Sequence, residues 1–271
     1  GVTMLPLDEQ AHPALSTGKT VNIQEFHETM GHTNEETLRL TAKARDLKLS
    51  GKLAPCESCH TSKARKKDVP KATTSQSTMP GERIHLDSSS SSKISFGGRQ
   101  YWLLAVDDAT TRSWSYFLKQ KSEIPETAIS LLQQLIQKGY KVKYLRMDNA
   151  GENEKLAELI KKDKDLCHIE IEFTPPGTPQ YNGKVERMFA TLWGRTNAQL
   201  NAAQLPPTLR DGLWAESARL AAIVQNSLVT PRFQEVGSPY KQFHGTDWKG
   251  FAHLHCFGHV GVVTHNTKLK A

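Results

Sequence analysis

Two aspartates that close strand-like runs, Asp87 and Asp148, and one glutamate that opens a helix, Glu186, are the residues of this chain best suited to chemistry. Asp87 ends the alternating run Arg83-Ile84-His85-Leu86, and Asp148 ends the apolar run Val142-Lys143-Tyr144-Leu145-Arg146-Met147. Glu186 follows Asp148 by 38 positions, one turn into a predicted helix that opens after Pro179-Gln180-Tyr181-Asn182-Gly183. Carboxylates so placed can form an oxygen cage for Mg²⁺ or Mn²⁺. Two such ions clamp the attacking and leaving oxygens of a phosphodiester, so the implied chemistry is polynucleotidyl transfer.

A second constellation lies upstream. His27-x4-His32 and Cys56-x2-Cys59 flank one small helical unit, a Cys2His2 set able to close a tetrahedral Zn²⁺ site. A C-x-x-C alone also suits a thioredoxin-like motif, but no strand–helix–strand pattern surrounds this one. His60 is the rival ligand. So small a module has little core of its own, and one structural zinc should supply much of its folding energy.

Other acidic residues compete for the catalytic role. Asp107-Asp108 fall in a predicted turn, where Asx-type bonding is the ordinary use. Glu152 reads as a helix-start acid that favours the dipole. Glu172 alternates with apolar residues on a strand and is expected to face solvent. Cys167 and Cys256 stand alone in apolar runs and read as buried free thiols.

The elements that must position these residues follow from periodicity. Segment 22–52 reads as helical, with Thr33 or Asn34 as cap and Gly51 as stop. Strand patterns cover 83–88, 101–106 and 113–118, with Gly97-Gly98 and Asp107-Asp108-Ala109-Thr110 as turns. A helix at 126–138, a strand at 142–147, a helix at 153–162, a strand at 169–173 and a long helix from 183 towards 201 complete the series. This order predicts an α/β ribonuclease-H-like core, a mixed five-stranded sheet with helices on both faces, preceded by a small helical zinc-binding domain. In that topology the first and fourth strands are parallel neighbours, which brings Asp87 and Asp148 together. A further helix is expected at 209–228 and a strand at 253–263. The domain reading is a tail at 1–20, the zinc domain at 21–62, a basic and Ser/Thr-rich linker at 63–80, the core at 81–230 and a C-terminal extension at 231–271 that starts a further domain.

Bulk properties agree. At 271 residues the chain can hold one sizeable core and small modules. A net charge of +7 and a pI near 9.2 fit a polyanionic partner. Neither a membrane span nor a signal peptide is evident, so no membrane partner is expected. The opening residue Gly1, without an initiator methionine, fits a fragment or a processed product.

The motifs around these residues resemble those of integrases of copia-type LTR retrotransposons, in the retroviral integrase superfamily. Leu145-Arg146-Met147-Asp148-Asn149-Ala150-Gly151-Glu152 is similar to the second-aspartate motif, and the run from Thr174 to Arg187 to the glutamate motif. Val106-Asp107-Asp108-Ala109-Thr110-Thr111-Arg112, Tyr116-Phe117-Leu118-Lys119-Gln120-Lys121-Ser122-Glu123, Leu213-Trp214-Ala215-Glu216-Ser217-Ala218 with Asn226, Ser238-Pro239-Tyr240 and His253-Leu254-His255-Cys256-Phe257-Gly258 match the copia branch. The pairing of His27 and His32 with Cys56 and Cys59 resembles its pre-integrase zinc region. The likeness spans roughly 22–263. It departs after Asp87, where a serine run from Ser88 to Ser92 replaces a small residue and Gly-Pro, and at Ala150, where glycine is common.

The resemblance implies a DNA integrase in which Asp87, Asp148 and Glu186 bind two Mg²⁺ (or Mn²⁺) ions and join the 3′ ends of element cDNA to target double-stranded DNA, with 3′-end trimming as a companion step. It implies a homo-oligomer, dimer or tetramer, on paired DNA ends, a host chromatin factor, and action in the nucleus after assembly in cytoplasmic virus-like particles. Lys184 and Arg187 beside Glu186, and Lys63, Arg65, Lys66 and Lys67 in the linker, are the candidate DNA contacts. The alternative is a decayed or domesticated relative acting as a zinc-containing DNA-binding scaffold. A ribonuclease-H-like nuclease that cuts without joining needs no zinc module.

Overall fold

The computed structural model describes residues 20–63, 77–174 and 182–259. Residues 1–19 of the expected N-terminal tail, linker residues Arg65, Lys66 and Lys67, and most of the Pro/Gly loop before Glu186 lie outside the described residues.

Alternation along the strands decides the architecture. In β4 (Tyr101–Asp107), Trp102, Leu104 and Val106 enter one apolar cluster while Leu103 and Ala105 enter another. A strand buried on both faces needs helices on both. On one side α4 (Ile124–Gln137) and α5 (Gly151–Lys162) bring Leu131, Leu132, Leu135, Leu156 and Ile160. On the other, α6 (Gly183–Ala202) and α8 (Trp214–Ser227) bring Val185, Phe189, Leu192 and Trp214. Between them the sheet runs β5-β4-β3-β6-β7, with β3 (Arg83–Ser90), β5 (Ser113–Leu118), β6 (Tyr144–Met147) and β7 (Glu170–Phe173). β3 pairs antiparallel with β4 and parallel with β6, and this is the expected ribonuclease-H-like order.

Asp87 is not at the end of its strand. The serines after it continue β3, with Ser88 opposite Leu103 and Ser90 opposite Tyr101. Only the parallel pairing to β6 stops early, at His85 opposite Arg146. The serine run is thus a hairpin arm, held because its backbone still has β4 as a partner.

The N-terminal module is less helical than its pattern suggested. The segment from 22 to 52 divides into α1 (Ile23–Thr29), α2 (Glu35–Ala44) and two short parallel strands, β1 (Thr20–Asn22) and β2 (Lys48–Ser50). Asn34 rather than Thr33 caps α2, accepting from the Thr37 amide at 2.9 Å. Gly51, expected to stop a helix, follows β2 with φ +82°. A third helix, α3 (Glu57–Lys63), carries Cys59 and packs along α6, where Asn201 Nδ2 donates to Ser62 Oγ at 2.9 Å.

The C-terminal part differs most from expectation. The single helix expected at 209–228 breaks at Leu213 into α7 (Pro207–Gly212) and α8. No strand forms over 253–259, and the rest of that expected strand lies outside the described residues. The segment from 231 to 259 does not stand apart but closes both cores. Phe243 on α9 (Pro239–His244) joins the sheet core, stacked on Tyr140 with centroids 4.3 Å apart, while Phe251 and Leu254 join Ile23, Phe26, Met30 and Leu38 of the zinc module. Val224 of α8 and Leu228 just past its end complete that same cluster, and the Val229 amide donates to Thr41 Oγ1 at 3.0 Å. Removing the buried Phe243 ring in Phe243→Ala should therefore cost about 3–5 kcal/mol in denaturant unfolding. A loss below about 1 kcal/mol would mean that the extension only rests on the core.

Among the described residues no helix is long and apolar enough to cross a membrane. Cys167 is exposed and Cys256 half-buried, both free, so neither is the buried thiol expected.

Candidate active site and metal centre

Strand register carries Asp87 and Asp148 to one place. Ile84 and Leu86 of β3, and Leu145 and Met147 of β6, point into the core beneath α4 and α5. Their alternates His85, Asp87 and Arg146 therefore face α6, as does Asp148 just past β6. Arg83, Ile84 and His85 lie opposite Tyr144, Leu145 and Arg146, so two residues further along Asp87 meets the level of Asp148 on a neighbour about 4.8 Å away. Glu186 comes from the first turn of α6, exposed on the helix flank while Val185 and Phe189 are buried against the sheet.

The electrostatics register the convergence. Burial pushes the Asp87 carboxyl up to about 6, the charges of Asp148 and Glu186 add to the rise, and the Ser88 amide opposes it. That amide donates to Asp87 Oδ1 at 2.7 Å. Glu186 is also raised, by burial, with Arg187 partly offsetting it. Asp148 is held by Asn153, whose Nδ2 donates to both its carboxylate and its carbonyl. An acid raised by burial, and further by two neighbouring anions, is one that a divalent cation would relieve, and the three carboxylates offer only hard oxygens. The set fits Mg²⁺ or Mn²⁺ on that chemistry.

Beneath these carboxylates lies a charged row that the sequence did not reveal. Glu172, expected to face solvent, accepts from Arg146 Nε at 2.7 Å and from Arg83 Nη2 at 3.2 Å. Asp107 keeps its expected turn role, accepting from the Thr110 amide and hydroxyl at 2.8 and 2.6 Å. Asp108 does not: it is a buried hub for Arg83, His85, Lys184 and the Ser77 amide. Burial would raise its carboxyl, but His85, Lys184 and Ser77 outweigh that and hold it well below the ordinary range. Lys184, read as a DNA contact, has its ammonium against the carboxylate and carbonyl of Asp108. Arg187 remains exposed on α6, and of the basic linker only Lys63, on α3, lies in the described residues. The signal for Asp108 was faint: His85 shares a strand face with Asp87, which placed an unexplained histidine beside the site. Glu152, as expected, lies in the first turn of α5.

The four candidate zinc ligands gather as the spacing requires. Ligand atoms of His27, His32, Cys56 and Cys59 all lie within 4.8 Å of one another. His27 Nε2 is 3.3 Å from Cys59 Sγ and His32 Nδ1 is 3.2 Å from Cys56 Sγ. The N···S edge of a tetrahedral zinc site is about 3.6 Å, so the set fits the ion closely. His27 Nδ1 donates to the Thr33 carbonyl at 2.7 Å, which leaves Nε2 for a metal. Gly31 and His32 both take left-handed backbone, φ +64° and +57°, and this turn brings His32 back over His27. Such a conformation is unfavourable for histidine, and it persists where surroundings impose it. His60 is exposed on α3 and stands outside the cluster.

The fold is thus a ribonuclease-H-like sheet with three acids carried towards its β3–β6–α6 corner and a His2Cys2 cluster packed beside α6. No family model matches the chain. Its sequence is similar to retrovirus-related Pol polyproteins from plant transposons. It is 29% identical over 215 residues to that from transposon TNT 1-94 of Nicotiana tabacum, covering 76% of this chain. It is also 29% identical over 238 residues to that from transposon RE1 of Arabidopsis thaliana, covering 86%. The chain spans only about 15% of the length of these relatives. Among solved structures, a simian T-cell lymphotropic virus intasome in complex with a PP2A regulatory subunit aligns at TM-score 0.49 and 15% identity, over 70% of this chain and 63% of that one. The catalytic core domain of BIV integrase aligns at TM-score 0.40 and 19% identity, over 60% and 93%.

Proposed function

We propose that this chain is the integrase segment of a retrotransposon Pol polyprotein, a metal-dependent polynucleotidyl transferase that joins 3′ ends of element cDNA to target DNA. What supports the reading most is the strand register that sets Asp87 level with Asp148, together with an Asp87 carboxyl raised by burial and by the charges of Asp148 and Glu186. These three would hold two Mg²⁺ or Mn²⁺ ions, which when bound supply Lewis-acid stabilisation of the attacking and leaving oxygens. Asp87 and Asp148 provide a rigid pair of ligands because each sits on, or one residue beyond, a paired strand. Glu186 closes the set from a separate element. Arg187, exposed beside it, is suited to a phosphate of the DNA, as is the basic run from Lys63 to Lys67. The His27–His32–Cys56–Cys59 centre would hold one structural Zn²⁺.

Element ends, target DNA, a homo-oligomer on paired ends and action in the nucleus belong to this reading. The +7 charge is consistent with its DNA part. The test is a labelled element-end duplex incubated with plasmid and Mg²⁺. Label carried into the plasmid is the expected outcome. A shortened oligonucleotide without joined product would make the protein a nuclease, and binding without either product would make it a scaffold.

A further inference from the structure

Glu186 has a peculiarity that Asp87 and Asp148 lack. Asp87 is fixed by its strand and the Ser88 amide, and Asp148 by Asn153. Glu186, among the described residues, has no side-chain hydrogen bond or ion pair; only its amide is tied, to the Asn182 carbonyl at 3.3 Å. Its position is therefore set by how the first turn of α6 is seated.

That seat is unusual. Asn182 occupies the N-cap position of α6, where an asparagine ordinarily accepts from its own helix, yet its side chain makes no capping bond. It turns to the sheet instead. Asn182 Nδ2 donates to the Leu86 carbonyl at 3.1 Å, and its Oδ1 stands 3.4 Å from His85 Nδ1. Leu86 and His85 are the two residues before Asp87. The other nitrogen of His85, Nε2, faces Asp108 Oδ1 at 3.3 Å. Lys184, two residues into the helix, reaches the same Asp108 oxygen at 2.6 Å. Asn182, His85 and Asp108 are all at least 96% buried. Burying such groups is unfavourable unless they find partners, so these contacts hold the start of the helix to the sheet.

We propose that Asn182, His85, Asp108 and Lys184 form a clamp that seats the first turn of α6 on β3 and on the turn after β4, and so fixes Glu186 relative to Asp87 and Asp148. They are positioning residues; this rests on the three carboxylates being a divalent-metal site. A ligand displaced by about 1 Å loses much of its effect, which gives the clamp a functional consequence beyond stability.

The experiment is Mn²⁺ binding to the zinc-loaded chain, followed by the electron paramagnetic resonance of free Mn²⁺. Asn182→Ala and His85→Ala should each raise the Mn²⁺ dissociation constant about 10-fold, the range seen when groups behind a metal ligand are removed. His85→Gln, which keeps a hydrogen-bonding group, should recover part of the loss. In the joining assay the same variants should need more Mg²⁺ for half-maximal rate, with a smaller change at saturation. Lys184→Met loosens the clamp from its other end, so a folding failure in Asn182→Ala still leaves a variant that must show the weakening. Wild-type Mn²⁺ affinity in the folded variants overturns the clamp. Wild-type affinity in Glu186→Gln instead overturns the metal-site reading beneath it.

Discussion

Asp87→Asn is expected to stabilise the metal-free protein while abolishing Mg²⁺-dependent joining. The two effects share one cause. The Asp87 carboxyl is raised to about 6, first by burial and then by Asp148 and Glu186. An unfolded aspartate titrates near 3.9. The folded state therefore holds the proton more tightly, and that contribution to stability is complete below pH ~4 and lost as pH rises through about 6. Above pH 7 the ionised group opposes folding by up to about 3 kcal/mol, since each unit is about 1.4 kcal/mol. Asparagine removes the charge and keeps the shape.

Denaturant unfolding of wild type and Asp87→Asn in EDTA, from pH 4 to pH 8, should show equal stability at the acid end. The variant should gain about 1–3 kcal/mol at the alkaline end. Added Mg²⁺ should narrow the gap, because it stabilises only the protein that retains its third ligand. Joining should fall at least ~10³-fold in Asp87→Asn, Asp148→Asn and Glu186→Gln, equivalent to about 4 kcal/mol of transition-state stabilisation. A variant that joins normally, or a stability difference independent of pH, would remove Asp87 from the site. Function held against stability in this way is common where like charges must be kept close for a ligand.

The elements that carry the three carboxylates were legible in the sequence because each depends on a local pattern. The runs before Asp87 and Asp148 alternate or stay apolar, and the helix carrying Glu186 buries Val185, Met188, Phe189 and Leu192 at helical spacing. The His2Cys2 cluster was legible from spacing alone. What failed to show depends on register or on borrowed packing. Glu172 alternates like any exposed residue, and only the pairing of β6 with β7 sets it against Arg146. Asp108 sits in a turn signal, and nothing nearby in sequence announces Lys184 or His85 as its partners. Helix α3 has almost no apolar face, Glu57-Ser58-Cys59-His60-Thr61-Ser62-Lys63, and owes its form to α6 and to a cysteine ligand. The pair β1 and β2 is three residues long on each side, too short for alternation to register. In the segment after 231, Phe243, Phe251 and Leu254 are spaced too far apart to suggest that they fill two different cores.

That borrowed packing determines what losing zinc should do. If the module were self-contained, removing the metal would unfold α1 to α3 and nothing else. Its apolar cluster, however, includes Val224 of α8 and Leu228 just past it, together with Phe251 and Leu254. Arg45 adds a clasp, ion-paired to Asp247 at 3.0 Å and lying over the Phe251 ring at 4.6 Å. Cys59→Ser, or chelation of the wild type, should cost several kcal/mol, because structural zinc binding contributes about 10–16 kcal/mol in isolated modules and part of this cluster survives here. At about 2–4 °C per kcal/mol for a chain of this size, melting should fall by roughly 10 °C or more. Metal analysis should give one zinc per wild-type chain and less than that in the variant. Hydrogen exchange should then rise in α1, α2 and α3, and also at the C-terminal end of α8 and around Phe251, while β3, β4 and β6 stay protected. Exchange confined to the module would show that the common cluster is not cooperative. An unchanged melting temperature after chelation would end the zinc assignment, since His27 and His32 are buried together and a merely decorative metal would leave them packed. The α6 end of this effect is the sharpest part of the expectation. Helix α3, with Cys59 on it, packs along the helix that carries Glu186, so zinc loss should loosen that helix from its middle while the clamp at Asn182 still holds its start.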